Sequence, residues 1–184
     1  MIIKEHLDGR TICLRCIEET DCTDEYLRWL EDPEVNQYLE TRWSEQSMDS
    51  IKSFVRQIRE SEDSILFAII EKETKKHIGN IKIGPINKNH QFAMISYFIG
   101  NREYWGKGIA SEAIGLVTRF GFENLGLHKL LAGYYASNIG SGKALENNGY
   151  TVEGISRQKV ITDEGTWDDG IEVGLLREDY ERKN

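Results

Sequence analysis

Residues 104–113, YWGKGIASEA, constrain this chain more than any other stretch. An apolar run, FAMISYFI, precedes them, and the segment behind them places Ile109, Ala113, Leu116, Val117 and Phe120 on one helical stripe. Gly106 and Gly108 stand two apart where that helix must begin. A chain that runs from a buried strand through such a turn into an amphipathic helix is committed to a sheet with a helix packed on its face. Glycine also lets backbone come close to a ligand, and a helix start leaves unpaired N–H groups and a partial positive charge. The turn is therefore a candidate cradle for phosphate or pyrophosphate.

The remaining elements can be placed around it. Residues 11–17 alternate, with Ile12, Leu14 and Cys16 on one side, and read as a strand. Residues 21–30 read as a helix capped by Asp21 or Thr23, followed by a short helix opened by Pro33. Residues 47–60 put Met48, Ile51, Phe54, Val55 and Ile58 on one face of another helix. Strands are expected at 64–70, 77–83, 91–100 and 129–135, with a helix at 108–124 and a short one at 141–147 stopped by Gly149. A hairpin of 154–161 and 167–176 closes the chain. The expected fold is a mixed α/β single domain over residues 1–184, with no internal repeat.

Composition narrows the function classes. Hydrophobic residues make up 39% and charged residues 29%, as in a soluble globular domain large enough for a core. No apolar stretch approaches the roughly 20 residues of a membrane span. The N-terminus MIIKEHLDGR is too polar for a secretory leader, so a cytoplasmic location without membrane partner is expected. A net charge of −8 argues against nucleic acid as partner and is compatible with a cationic amine. Cys13 and Cys16 have C-x-x-C spacing, but no second pair completes a metal site, and on a strand they face opposite sides. No metal is expected.

Beyond these readings, the run from Phe92 to Tyr150 resembles the acetyl-CoA-binding core of the GNAT N-acetyltransferases, in the branch of the ribosomal-protein and spermidine acetyltransferases. Gly108 and Ala110 match the last two small positions of that family's Q/R-x-x-G-x-G/A signature, while Trp105 stands where Gln or Arg is usual. GFENLGLHKL, SNIGSGKALENNGY, EGISRQ and the segment around 167–169 match further landmarks in order. The resemblance implies a mostly antiparallel mixed sheet of about seven strands, splayed at the cofactor site and flanked by helices. It implies that backbone N–H groups of Gly106, Lys107, Gly108, Ile109 and Ala110, with the Ser111 hydroxyl, hold the CoA pyrophosphate, with Trp105 beside them in the cofactor site. It further implies that Tyr97, Phe98 and Ile99 pair with the pantetheine arm and that Asn138 bonds to it. Lys143 is placed for the outer phosphates or is a solvated lysine.

The same resemblance exposes two departures. Met94 stands where many relatives carry a basic Glu, and Leu145 where many carry an acidic Tyr. Ser141, at the N-x-x-S spacing from Asn138, is the candidate acid, or else a helix-capping hydroxyl. His90 is a candidate base, or a loop-tip histidine. Trp29, Tyr38, Arg42 and Trp167 are candidate acceptor-site residues, with core-facing packing as the alternative for Trp29 and Tyr38. The implied activity is acetyl-CoA-dependent transfer to a primary amine, a small molecule such as an amino sugar, aminoglycoside or polyamine, by direct attack in a ternary complex. Acetylation of a protein N-terminus and a non-catalytic acyl-CoA-binding module are the alternatives, and a homodimer is possible.

Overall fold

The computed structural model describes residues 6–183. Residues 1–5, part of the polar N-terminus weighed above, lie outside them, as does Asn184. A two-residue strand β1 (Leu7–Asp8) turns into β2 (Ile12–Cys16), which leads to helices α1 (Asp24–Glu31), α2 (Pro33–Asn36) and α3 (Met48–Glu60). Three consecutive strands follow: β3 (Ile65–Glu71), β4 (His77–Asn87) and β5 (Phe92–Ile99). The glycine turn then opens α4 (Ile109–Arg119), succeeded by β6 (Lys129–Tyr135) and α5 (Ile139–Asn147). The hairpin β7 (Thr151–Ile161) and β8 (Trp167–Leu176) precedes a last helix, α6 (Arg177–Lys183).

All eight strands form one sheet in the order β1-β2-β3-β4-β5-β6-β8-β7. That is one strand more than expected, because β1 is too short to show a period and exists only by pairing Leu7 with Leu14 and Asp8 with Cys13. Alternation along β3 builds a core on each face. Ile65, Phe67 and Ile69 join α4 and α5, while Leu66, Ala68 and Ile70 join α1 and α3. Cys16 packs against the first core and Cys13 against the second, as their spacing on a strand requires.

Helix starts are specified locally. Thr23 caps α1 by accepting from the Tyr26 N–H, and Ser47 and Ser50 form a reciprocal capping box at α3. Asp21, the other cap candidate, instead takes both terminal nitrogens of Arg15, at 2.6 and 2.7 Å. The expected helix 108–124 stays α-helical only to Arg119 and continues as a π turn, Phe120–Asn124, which buries both Phe120 and Phe122.

The strand pairing decides where a ligand can enter. Every pair is antiparallel except β5 with β6, whose register covers only Phe92–Lys129, Ala93–Leu130 and Met94–Leu131. Past Met94 the two strands part. β5 stays bound to β4 as far as Ile99, and β6 stays bound to β8 as far as Tyr135. The result is a V-shaped opening in the middle of the sheet.

Candidate active site

The opening is part of a cleft of about 1920 Å³, more than the roughly 300–1,000 Å³ of a typical single-ligand pocket. Its walls include Tyr97, Phe98 and Ile99 of β5 and Ala132 and Tyr134 of β6. Gly106, Gly108, Ile109, Ala110 and Ser111 stand at the start of α4, and Asn138, Ser141 and Lys143 on or beside α5.

Gly106 (φ 71°) and Gly108 (φ 78°) both occupy the left-handed region that favours glycine. A Cβ on either would meet nothing within 4 Å, so both face open space. Whereas α1, α3 and α5 are capped by their own side chains, Gly108 caps α4 with none. The backbone N–H groups of residues 106–111 consequently have no hydrogen-bond partner among the described residues. Uncapped, open and carrying the positive end of the helix dipole, this turn fits a pyrophosphate. Trp105 braces it: the indole N–H donates to the Ile99 carbonyl at 2.8 Å, fastening the turn to the end of β5. Asn148 fixes α4 to α5 by donating to the carbonyls of Ser111 (2.9 Å) and Ala144 (2.8 Å).

Halfway along the cleft, Ser141 Oγ lies 2.8 Å from the Tyr97 hydroxyl. Asn138 sets up this pair by capping α5, its Oδ1 accepting from the Ser141 N–H at 3.1 Å. Gly142 lets α5 come close to β6, since a Cβ there would lie 2.9 Å from the Tyr134 ring. Burial pushes the Tyr97 phenol up to about 12, although its bond to Ser141 pulls the other way. Tyr97 therefore keeps its proton at neutral pH.

At the far end, the segment after α2 contributes Tyr38 and Glu40. Glu40 accepts from the Tyr135 hydroxyl at 2.8 Å, and Tyr38 packs edge-on to Tyr135. Burial and the Glu40 carboxylate push the Tyr135 phenol up to about 12. Arg42 ties the segment to the β7–β8 hairpin through the Asp163 carboxylate and the Ile161 carbonyl, with its guanidinium over Trp43 and Tyr135.

Several expected site residues fall outside the cleft lining. Trp29 is buried in the second core, edge-on to His77 and Phe98 and pressed on Gly100, so its aromatic bulk packs rather than binds. Arg42 is a buried tie and Trp167 an exposed residue at the outer end of β8, paired with Ile161; neither lines the cleft. His90 sits in the β4–β5 turn, its ring stacked on Phe92, away from the opening. The Lys107 side chain points to the Tyr104 ring, leaving its N–H as its contribution to the turn. Met94 is 46% exposed and lines the cleft, so the position of the absent carboxylate is an apolar patch. Leu145 is buried. Glu40 and Tyr135 meet through a contact 95 residues apart in sequence, which no local pattern reveals. Among the described residues there is no metal-binding cluster of His, Cys, Asp or Glu, and no helix is long and apolar enough to cross a membrane.

Comparison with known proteins places this geometry. Residues 11–151 match the acetyltransferase (GNAT) domain family. The probable N-acetyltransferase YjcK of Bacillus subtilis is 34% identical over 67% of this chain and 67% of its own length. The uncharacterized N-acetyltransferase YoaA of the same organism is 31% identical over 90% of this chain and 93% of its own. A spermidine N-acetyltransferase from Vibrio cholerae, solved with CoA and spermine, has the same fold at a TM-score of 0.82 and 21% identity, covering 94% of this chain and 99% of that one. With a family match over most of its length and relatives of this identity, the chain belongs to the GNAT acetyltransferase family and is an N-acetyltransferase.

Proposed function

We propose that the protein transfers the acetyl group of acetyl-CoA to the primary amine of a small molecule, by direct attack with both substrates in the cleft. One observation carries this: the β5–β6 opening joins an uncapped, anion-accepting helix start to a separate aromatic and acidic end. The N–H groups of residues 106–111 hold the pyrophosphate, with the Ser111 hydroxyl and Lys143 beside it. The cleft-facing edge of β5 at Tyr97, Phe98 and Ile99, which β6 no longer covers, pairs with the pantetheine arm and supplies an N–H to the thioester oxygen. Acetyl-CoA supplies an activated acyl carbon: transfer forms a C–N bond, breaks the C–S bond, and leaves an amine proton to lose and a thiolate to neutralise. Ser141 donates a proton through Oγ to the thiolate while the Tyr97 hydroxyl 2.8 Å away passes one to Ser141, and the proton lost by the amine goes to water, which returns one to Tyr97. No Cys lines the cleft, which accords with direct attack rather than an acyl-enzyme.

The small-molecule acceptor is supported by the bridge across the acceptor end. Arg42 joins the segment after α2 to the hairpin and the Tyr38 hydroxyl meets the Ser137 carbonyl at 3.5 Å, two ties that an extended chain would have to pass. Relatives are named for both kinds of acceptor, a ribosomal protein alanine in Escherichia coli and spermidine in Vibrio cholerae. Thiol release from acetyl-CoA, measured against amino sugars, aminoglycosides, polyamines and N-terminal peptides, is expected with at least one small amine. Release with peptides alone would overturn the small-molecule acceptor.

A further inference from the structure

Residues of β5 alternate between the two faces of the sheet. Tyr97 packs with the first core, on the α4 and α5 side, where its hydroxyl meets Ser141. Met94, Ser96 and Phe98 point to the opposite face, which is left for the acceptor. Lys82 of β4 stands directly opposite Ser96 on that face. It is half-buried beside Leu66, its partner on β3, and Lys82, Ser96 and Leu66 all line the cleft. Among the described residues, neither the Lys82 ammonium nor the Ser96 hydroxyl has a hydrogen bond or an ion pair. The Ser64 and Ser61 hydroxyls, and at longer range Lys82, hold the Asp63 carboxyl below its usual range, but Asp63 does not line the cleft. The carboxylates that do are held elsewhere: Glu40 by the Tyr135 hydroxyl, Glu34 by Arg102, Glu153 by Lys129 at 2.7 Å and Glu172 by Lys159 at 3.1 Å. Glu45, the remaining one, is exposed. Lys82 is thus a cation without a counter-ion on the acceptor's side of the cleft.

A half-buried ammonium gives up part of its hydration, and a ligand oxyanion that accepts from it recovers that cost with a charge-assisted bond. Resting on the acetyl transfer proposed above, we propose that Lys82 and Ser96 form an anion subsite that selects acceptors carrying a carboxylate as well as the primary amine. One carboxylate oxygen accepts from Lys82 Nζ and the other from Ser96 Oγ, two donors that the strand pairing sets side by side. Met94 keeps this subsite open. A glutamate there would lie diagonal to Lys82 on the same face, within reach to neutralise it, whereas the thioether leaves the charge for a ligand. Polyamines are disfavoured, because their second ammonium has no lone pair to accept either bond and is repelled by Lys82.

The test compares kcat/KM for ω-amino acids with that for amino alcohols in which a hydroxymethyl group replaces the carboxylate, over chains of increasing length and at matched concentrations of free-base amine. At one chain length the wild type is expected to favour the amino carboxylate by about tenfold or more, with a ratio that falls as salt is added. Lys82→Met is expected to remove that preference by slowing the amino carboxylate, while acetyl-CoA binding by calorimetry stays intact. Lys82→Arg, which keeps the charge, should retain part of it. Equal rates for every pair in the wild type, or faster alcohols, would overturn the assignment whether or not either variant folds. So would a preference that survives in a folded Lys82→Met protein. Absence of turnover with every small amine, with peptides turned over, would remove the underlying small-molecule acceptor and this inference with it.

Discussion

At the scale of single residues, chemistry in this site depends on contacts that bring distant positions together. Ser141 could be singled out in the sequence because it follows Asn138 at a telling spacing, and of its two readings the helix-capping hydroxyl falls away, since Asn138 is the residue that caps α5. Its N–H is held by the Asn138 cap, while its Oγ meets Tyr97. The partner was not legible, since Tyr97 lies 44 residues away and meets Ser141 only because Gly142 lets α5 approach β6. Removing Ser141 as Ser141→Ala should lower kcat by roughly tenfold to a hundredfold, toward the low end for general-acid catalysis because a thiolate leaves readily. KM for acetyl-CoA should change little. Steady-state thiol-release kinetics check both, and an unchanged kcat would rule out Ser141 as the proton donor. Tyr97 should contribute no basic limb to the pH profile below about pH 10, given a phenol pushed up to about 12.

Among elements, the start of α4 is the part of the site most openly written in the sequence. Two glycines ahead of an apolar stripe specify a turn, a helix and an uncapped terminus together, and the structure has all three. What those residues could not specify is where the neighbouring strand edge becomes available. That depends on β5 and β6 sharing only three register pairs before each follows a different neighbour. Gly108→Val should weaken acetyl-CoA binding by about tenfold or more, because a β-branched side chain disfavours φ 78° and its methyls project into the cradle. Gly108→Ala should have a smaller effect in the same direction. Calorimetric titration with acetyl-CoA measures this, with thermal unfolding separating lost binding from lost fold. The acceptor wall shows the opposite case. Aromatics and charged residues between Trp29 and Trp43 look alike in sequence, yet of the candidates Trp29, Tyr38 and Arg42 only Tyr38 lines the cleft, joined there by Glu40. Helical phase buries Trp29 against β4 and β5, and Arg42 is consumed by the hairpin.

For the whole molecule, the sheet is a partition between two cores, and a half-buried histidine packed on the aromatics of the second has a consequence for stability. Burial is the main cause that lowers the His77 pKa from its ordinary 6.5. The unfolded chain then binds a proton more readily than the folded one as the pH falls below that value. Stability from this group is fully present above about pH 6.5 and is lost on acidification toward the lower folded-state pKa. Chemical denaturation between pH 7 and 5 should show declining stability, and His77→Phe, although less stable at neutral pH through loss of the Asn80 bond, should show a shallower decline over that window. An identical slope would mean that His77 does not contribute.

The sequence by itself determined the order and type of most elements, the mixed α/β class, the glycine turn and its suitability for an anionic cofactor, and the absence of carboxylate and phenol at positions 94 and 145. These follow from local steric preference, periodicity and residue chemistry, all of which act within a few residues of chain. Only the tertiary structure decided which aromatics line the cleft and which pack, and that Ser141 meets Tyr97 and Glu40 meets Tyr135. Each of these depends on strand register and helix phase, which bring together groups that are distant in sequence and leave no local periodic signal for the pairing.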